Sequence, residues 1–494
     1  MLRSRSCACV LCALAAATVA ALLVFGAPAA APAEAPAAGK PVSFINDVAP
    51  ILKENCFACH DSKKRQGKME MTTFEKLQKG GANNDEPIVP GKPDDSELYT
   101  LVVAETQRRM PPRDKGEAVP PEKAAVIARW IQEGAKLDPG IDPKADLLRE
   151  LRLRWQPPEP PAAYRYPVVV NALTFTPDNK RLVVGGHHEL TVWELASGKL
   201  EKRVFTRAER AYAMAFLPDG KLVVAGARPG QEGDLRVYDL GAAPAKAENG
   251  VAILDGVHGK AMVKQLLDSD DAVLCLALSA DGKSLAAGGC DRTVRVWDLG
   301  GGVLNAKLEQ AVENHADWVL GVALSPDGKR LFTASRDKTA KVWDLAAKES
   351  VLTFPDHQNT VWGVAVKPDG KAGYSCGADN QVRSWNAASE GKQLKVLGGH
   401  GGEVYRIVEH PKLPLMVTCS ADKTVKVWDA EKGTALKTLA GLTDHVYAAA
   451  ISPDGALVAA GGYDGEVKVW KVADGSLVKG FNASPGYAPK QAKK

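Results

Sequence analysis

Hydrophobic positions follow three rhythms along the chain. Near its start an apolar run extends from about Val10 to Phe25, preceded by Arg3 and Arg5 and followed by an Ala/Pro tract from Ala27 to Ala38. Further on, apolar residues recur at helical spacing. Phe44, Ile45, Val48, Ile51 and Leu52 mark one amphipathic helix, with Ser43 placed to cap it; Val126, Ile127, Trp130 and Ile131 mark another, entered through Pro120-Pro121 and stopped at Gly134. Beyond residue 163 the rhythm changes to short runs such as Val322-Ala323-Leu324 and Lys341-Val342-Trp343, punctuated by Pro-Asp-Gly and its variants. That pattern predicts strands joined by tight turns. Residues 141–162, ending in Pro157-Pro158-Glu159-Pro160-Pro161, read as a linker, and 483–494 as a disordered basic tail.

A basic start, an apolar core and small residues beyond it predict a secretory signal peptide within residues 1–38. The apolar run is marginal for a membrane span, which needs about 20 residues, so export without a stable span is expected. With 494 residues, 45% of them hydrophobic, the chain has room for two or more cores. Its 63 basic and 59 acidic side chains nearly cancel, which gives no electrostatic case for a nucleic-acid partner.

Once the leader is set aside, the only cysteines before Cys275 lie in Cys56-Phe57-Ala58-Cys59-His60. Two thiols three apart can add to the two vinyl groups of haem, and the adjacent imidazole can then ligate its iron. A zinc site would need four ligands, and a thioredoxin-type pair a βαβ setting that is absent here. The helix before Cys56 can lay its apolar face against a porphyrin. For a sixth ligand the segment offers Met69, Met71 and Met110. Met110 stands out because Pro111 and Pro112 follow it and stiffen its loop. Lys63-Lys64-Arg65 is a basic run that could dock an acidic partner.

The order Phe44…Pro50-Ile51-Leu52…Cys56…Cys59-His60, then Met110-Pro111-Pro112, then Trp130-Ile131…Gly134-Ala135 resembles a planctomycete-type cytochrome c domain, over residues 41–140. The resemblance implies a small all-α fold with one haem c. Cys56 and Cys59 would carry its thioethers, with His60 and Met110 as proximal and distal iron ligands.

From residue 163 to 482 the sequence repeats. Trp193, Tyr238, Trp297, Trp343, Trp385, Trp428 and Trp470 follow one another at separations of 45, 59, 46, 42, 43 and 42 residues. That period, with a terminal Trp-Asp, resembles the WD40 repeat and implies an all-β seven-bladed propeller. The resemblance makes the recurrent polar residues structural. His315, Ser335, Asp337 and Trp343 would form a buried chain of hydrogen bonds, as would His400, Ser420, Asp422 and Trp428. Gly377 and Gly462 replace the serine in blades five and seven, the third repeat lacks the histidine, and His187 and Tyr238 depart from the pattern in the first two. Looser early blades are expected. Cys376 and Cys419 are expected as buried free thiols. The long interval at about 241–271, holding His258, is expected to be an extended fourth strand with a surface loop.

The whole reads as an exported electron carrier tethered to a platform that binds a redox protein or a cell-envelope component. A haem-dependent oxidoreductase and a non-redox scaffold are the alternatives. For a second cofactor in the ring, His187, His188 and His258 are the only loose candidates.

Overall fold

A computed structural model describes residues 40–62, 64–82, 86–388 and 391–488. The expected signal peptide and the last six residues of the tail lie outside the described residues. The chain divides into two compact units between Trp155 and Gln156.

The first unit is helical. Ser43 Oγ accepts from the Asn46 amide at 3.0 Å, as its capping position predicted. The first turn, Phe44–Val48, is a wide π turn, and α1 continues as Ala49–Asn55. Pro50 has no amide hydrogen to donate, so regular bonding cannot run unbroken through this join. There follow α2 (Phe74–Lys79), α3 (Glu97–Val102) and α4 (Pro121–Gln132). Phe44, Leu52, Leu77, Ile127 and Trp130 form the core, with the Phe44 ring 4.8 Å from Phe74 and 5.1 Å from Trp130.

One boundary differs from expectation. The stretch read as a linker carries α5 (Leu147–Arg154), capped by the Asp146 carboxylate. Leu147 is buried in the first unit's core, and its amide bonds the Thr72 carbonyl at 2.9 Å. No helix among the described residues is long and apolar enough to cross a membrane.

The second unit is all β. Five four-stranded antiparallel sheets open at Val273, Val319, Val361, Val404 and Val446, each valine buried. Before them lies one nine-stranded sheet: β1 (Leu173–Phe175), β2 (Arg181–Gly185), β3 (His187–Glu194), β4 (Leu200–Phe216), β5 (Leu222–Arg228), β6 (Glu232–Tyr238), β7 (Lys246–Glu248), β8 (Val251–Asp255) and β9 (Met262–Ser269). Two repeats are joined in it because β4 serves both. Its first half pairs with β3 and its second half with β5. Its 17 residues contain neither proline nor glycine to break the strand. The interval 241–271 is not a simple loop either. β7 and β8 form a hairpin, β8 runs parallel to β4 from Lys202 to Phe205, and β9 closes on β6. The sheets fit a β-propeller. Val170, Leu173 and Phe175 share a core with Ala448, Ala459 and Val467 of the last sheet. The start of the expected tail is ordered: Ala483 and Ser484 are buried, and the Pro485 carbonyl accepts from the Tyr164 amide at 2.9 Å.

The recurrent polar chain exists, with a different hydroxyl. His315 Nδ1 meets Asp337 at 2.8 Å, while Thr333 Oγ1 contacts His315 Nε2 at 2.7 Å and accepts from the Trp343 indole at 3.0 Å. Ser335 instead accepts from the Asp337 amide and donates to the Asp317 carbonyl. Thr418 fills the same role with His400 and Trp428. Ser375 completes the chain in the sheet that opens at Val361, so Gly377 leaves nothing missing there.

The early repeats carry different polar contacts. Buried ion pairs stand in for the chain: Arg207 with Glu232 at 2.9 Å, Arg236 with Asp234 at 2.8 Å and Arg203 with Glu189 at 2.5 Å. The described cysteines are all free, and Cys376 and Cys419 are buried.

Replacing Thr333 by Val strips both His315 Nε2 and the Trp343 indole of their partner. The expected loss is at least about 2 kcal/mol, read as a lower denaturant midpoint, and it should exceed that of Ser335→Ala. Burial opposes charge on Asp379, but His357 and Arg383 outweigh it and hold the carboxyl at about 2 against an ordinary 3.8. The stability this provides is complete above pH 3.8 and is lost as pH falls towards 2. Asp379→Asn should therefore flatten the acid limb of a stability-against-pH curve.

Candidate haem site

The site begins where α1 ends. The Cys56 amide still bonds the Leu52 carbonyl at 2.8 Å, and the amides of Cys59 and His60 both turn back to the Cys56 carbonyl at 3.1 Å. This tight turn holds two thiols and an imidazole on one short piece of backbone. Further bonds fix its outer side: the Gln66 amide to Cys59 at 3.1 Å and the Met71 amide to His60 at 2.8 Å.

The opposite lip comes from a part of the chain that sequence reasoning singled out only at Met110. That residue's amide bonds the Leu101 carbonyl at 2.9 Å, so its loop is pinned to α3. Arg109 clasps the loop from within, donating from Nε to the Pro111 carbonyl at 3.1 Å and from Nη2 to Gly116 at 2.9 Å. The Met110–Pro111 bond is cis. Arg109 was missed because an arginine beside another arginine reads as surface charge. Helix α3 was missed too, although Leu98, Leu101 and Val102 stand at helical spacing.

Cys56, Cys59, His60 and Met110 all line a single cavity of about 300 Å³. Its other walls are largely apolar, built from Leu98, Leu101, Val102, Met71, Pro87 and Pro112. Met69 and Met71, the other candidate thioethers, also border it. Burial, with Cys59 beside it, pushes the Cys56 thiol up to about 12, so it stands neutral at physiological pH. His60 Nδ1 is buried without a hydrogen-bond partner. An apolar slot bordered by two thiols, an imidazole and a thioether has the donor set to hold a haem.

Other candidate chemistry disperses. Among the described residues no group of three or more His, Cys, Asp or Glu side chains is arranged to hold a metal ion. The His187 and His188 rings meet edge to face at 4.8 Å, whereas His258 bonds the Gln156 amide oxygen. The basic run after the motif folds back on it: Lys64 donates to the Ala58 carbonyl at 2.6 Å and Arg65 to Ser62 at 2.8 Å. Lys63 lies outside the described residues.

Residues 56–114 match the family described as planctomycete cytochrome C. The chain joins a cytochrome c segment to WD repeats. The second match is to the WD domain, G-beta repeat, at residues 262–298, 306–344, 348–386, 391–429 and 433–471. Among curated proteins the chain is similar to protein groucho of Drosophila melanogaster, 30% identical over 133 residues. That match covers 26% of this chain and 16% of groucho. WD repeats mark the second unit as a protein-interaction fold, and the cytochrome c match makes the first unit a haem-binding one. The cytochrome match reaches from Cys56 past Met110, so the cavity and the family segment coincide.

Arg109→Ala leaves two loop carbonyls without their donor. A loss of about 1–3 kcal/mol is expected, read as a lower denaturant midpoint for the first unit and faster proteolytic cleavage within residues 105–117. Arg108→Ala, whose side chain is 77% exposed, should change neither.

Proposed function

We propose that this chain is an exported electron carrier. One haem c is held covalently by Cys56 and Cys59, with His60 and Met110 on its iron. A seven-bladed WD40 ring then recruits a redox protein or a cell-envelope component. The observation that carries the reading is the meeting of two thiols, an imidazole and a thioether on one apolar cavity. When bound, haem supplies one-electron Fe(II)/Fe(III) chemistry. Cys56 and Cys59 tether it against loss, which suits a protein working outside the cytoplasm. His60 offers a nitrogen ligand from the same turn. Met110 offers a thioether, which favours the ferrous state and raises the potential. Leu98, Leu101 and Val102 exclude water, and the Arg109 clasp keeps the weak sulfur ligand from swinging away.

Three observations support the ring. Seven marker aromatics recur, one sheet contains two repeats joined through β4, and the first strands share a core with the last sheet. The basic, apolar and small-residue order within residues 1–38 supports export.

The test is the visible spectrum, oxidised and reduced, of protein produced with c-type haem maturation, beside Met110→Ala and Cys56→Ala. A covalent, low-spin, six-coordinate haem is expected, with a methionine–iron charge-transfer band that Met110→Ala abolishes. A high-spin wild-type spectrum that Met110→Ala leaves unchanged would overturn the ligand assignment in favour of peroxidase or sensor chemistry. Protein without covalent haem would leave a scaffold.

A further inference from the structure

Each later sheet of the second unit carries the same irregularity. The first two strands slip in register just after the opening valine, leaving one extra residue on the first strand. Such a bulge re-aims its side chain and ends regular pairing. In the last three sheets that residue is aromatic: Trp362, Tyr405 and Tyr447. In the two before them it is Leu274 and Leu320. Because the bulge falls at one phase of the repeat, the rings gather at one end of their sheets. They form a continuous arc, with centroids 5.6 Å apart between Trp362 and Tyr405, 4.8 Å between Tyr405 and Tyr447, and 6.5 Å from Tyr447 to Tyr463. Tyr463 is 48% exposed and the other three rings are half-buried.

Carboxylates lie among these rings, together with the His445 imidazole, whose centroid is 6.4 Å from Tyr405 and 6.3 Å from Tyr447. Glu403 accepts from the Trp362 indole at 3.2 Å. Burial, then Glu403, pushes the Tyr405 hydroxyl up, and burial, then Asp444, does the same to Tyr447. The ammonium groups of the same loops are engaged elsewhere: Lys423 donates to the Thr443 carbonyl at 3.0 Å and Lys468 pairs with Glu466 at 3.0 Å. Nothing in the fold demands this combination, since leucine occupies the equivalent bulge twice. Half-exposed ring faces with carboxylates beside them attract positive charge through the ring quadrupole.

We propose that the arc formed by Trp362, Tyr405, Tyr447 and Tyr463, with Glu403 and Asp444, is a binding site for the lysine or arginine side chains of a basic protein segment. The inference rests on reading the second unit as a binding platform and supplies the chemistry of what it binds.

The test titrates the full-length, haem-loaded protein by calorimetry at low salt with a blocked lysine-glycine peptide, its norleucine isostere and its glutamate counterpart. Only the lysine peptide is expected to bind, more weakly as salt is raised. Tyr447→Leu and Glu403→Gln should each weaken it by about tenfold. Glu403→Gln leaves the ring packing in place, so the test stands even if Tyr447→Leu fails to fold. Equal binding of the norleucine or glutamate peptide, unchanged affinity in Glu403→Gln, or binding of a neutral oligosaccharide instead would overturn the proposal. A ring that captures its partner through another face, with the lysine peptide unbound, refutes this site and leaves the platform standing; a ring that captures nothing refutes both.

Discussion

A sheet of four short strands can bury both of its faces only if a neighbour lies against each. That constraint organises the second unit. It explains why the opening valine of every later sheet is buried and why the first strands find the last sheet. It also explains the recurrent polar chain. Where two sheets press together, an indole N–H and an imidazole must find partners inside the stack, because a buried polar group left unsatisfied costs more than the bond itself gains. Thr333, Ser375 and Thr418 each place one hydroxyl where it satisfies both at once.

The first unit meets a different constraint. Its cavity is apolar, yet lined by thiol, imidazole and thioether groups of the kinds able to bond iron. The cysteine–histidine turn achieves this with backbone bonds that leave the side chains free to face inwards. The methionine side cannot rely on a helix, so the loop is stiffened twice, by consecutive prolines and by the Arg109 clasp on two carbonyls. A thioether is a weak ligand, and a loop that held it loosely would lose much of its binding energy to ordering itself.

Much of this was legible in the sequence, and the failures have physical reasons. The helices flanking the motif and the positions of Cys56, Cys59, His60 and Met110 follow from periodicity and from proline placement. The chosen serine was wrong by two residues because Thr333 and Ser335 lie on the same face of one strand. Only the diagonal reach of Trp343 from the next strand decides between them. Helix α5 was read as linker because it is rich in arginine and only Leu147, Leu148 and Leu151 mark its buried side. The sharing of β4 was hidden because two repeats normally need a break between them, and no residue there supplies one. The bulges had no sequence signal apart from the aromatic residues that occupy three of them.

The two halves of the second unit solve the same burial problem with opposite electrostatic consequences. In three of the five later sheets an aspartate sits against histidine, and in one of these against arginine as well. Asp379 is held down at about 2. Its charge is thus better off folded than unfolded. In the first sheet, burial dominates at Asp234 and pushes it up to about 6 despite Arg236 beside it. A raised carboxyl reverses the linkage: its charge disfavours the fold above pH 6, and that penalty is relieved as pH falls towards 3.8. Buried ion pairs are weak sources of net stability, so the first sheet depends on hydrogen-bonded strand pairing for its hold. Strand β4, paired with β3, β5 and β8, supplies it, and the long unbroken strand is what makes a charged interior tolerable where the Asp–His–hydroxyl–Trp relay is missing.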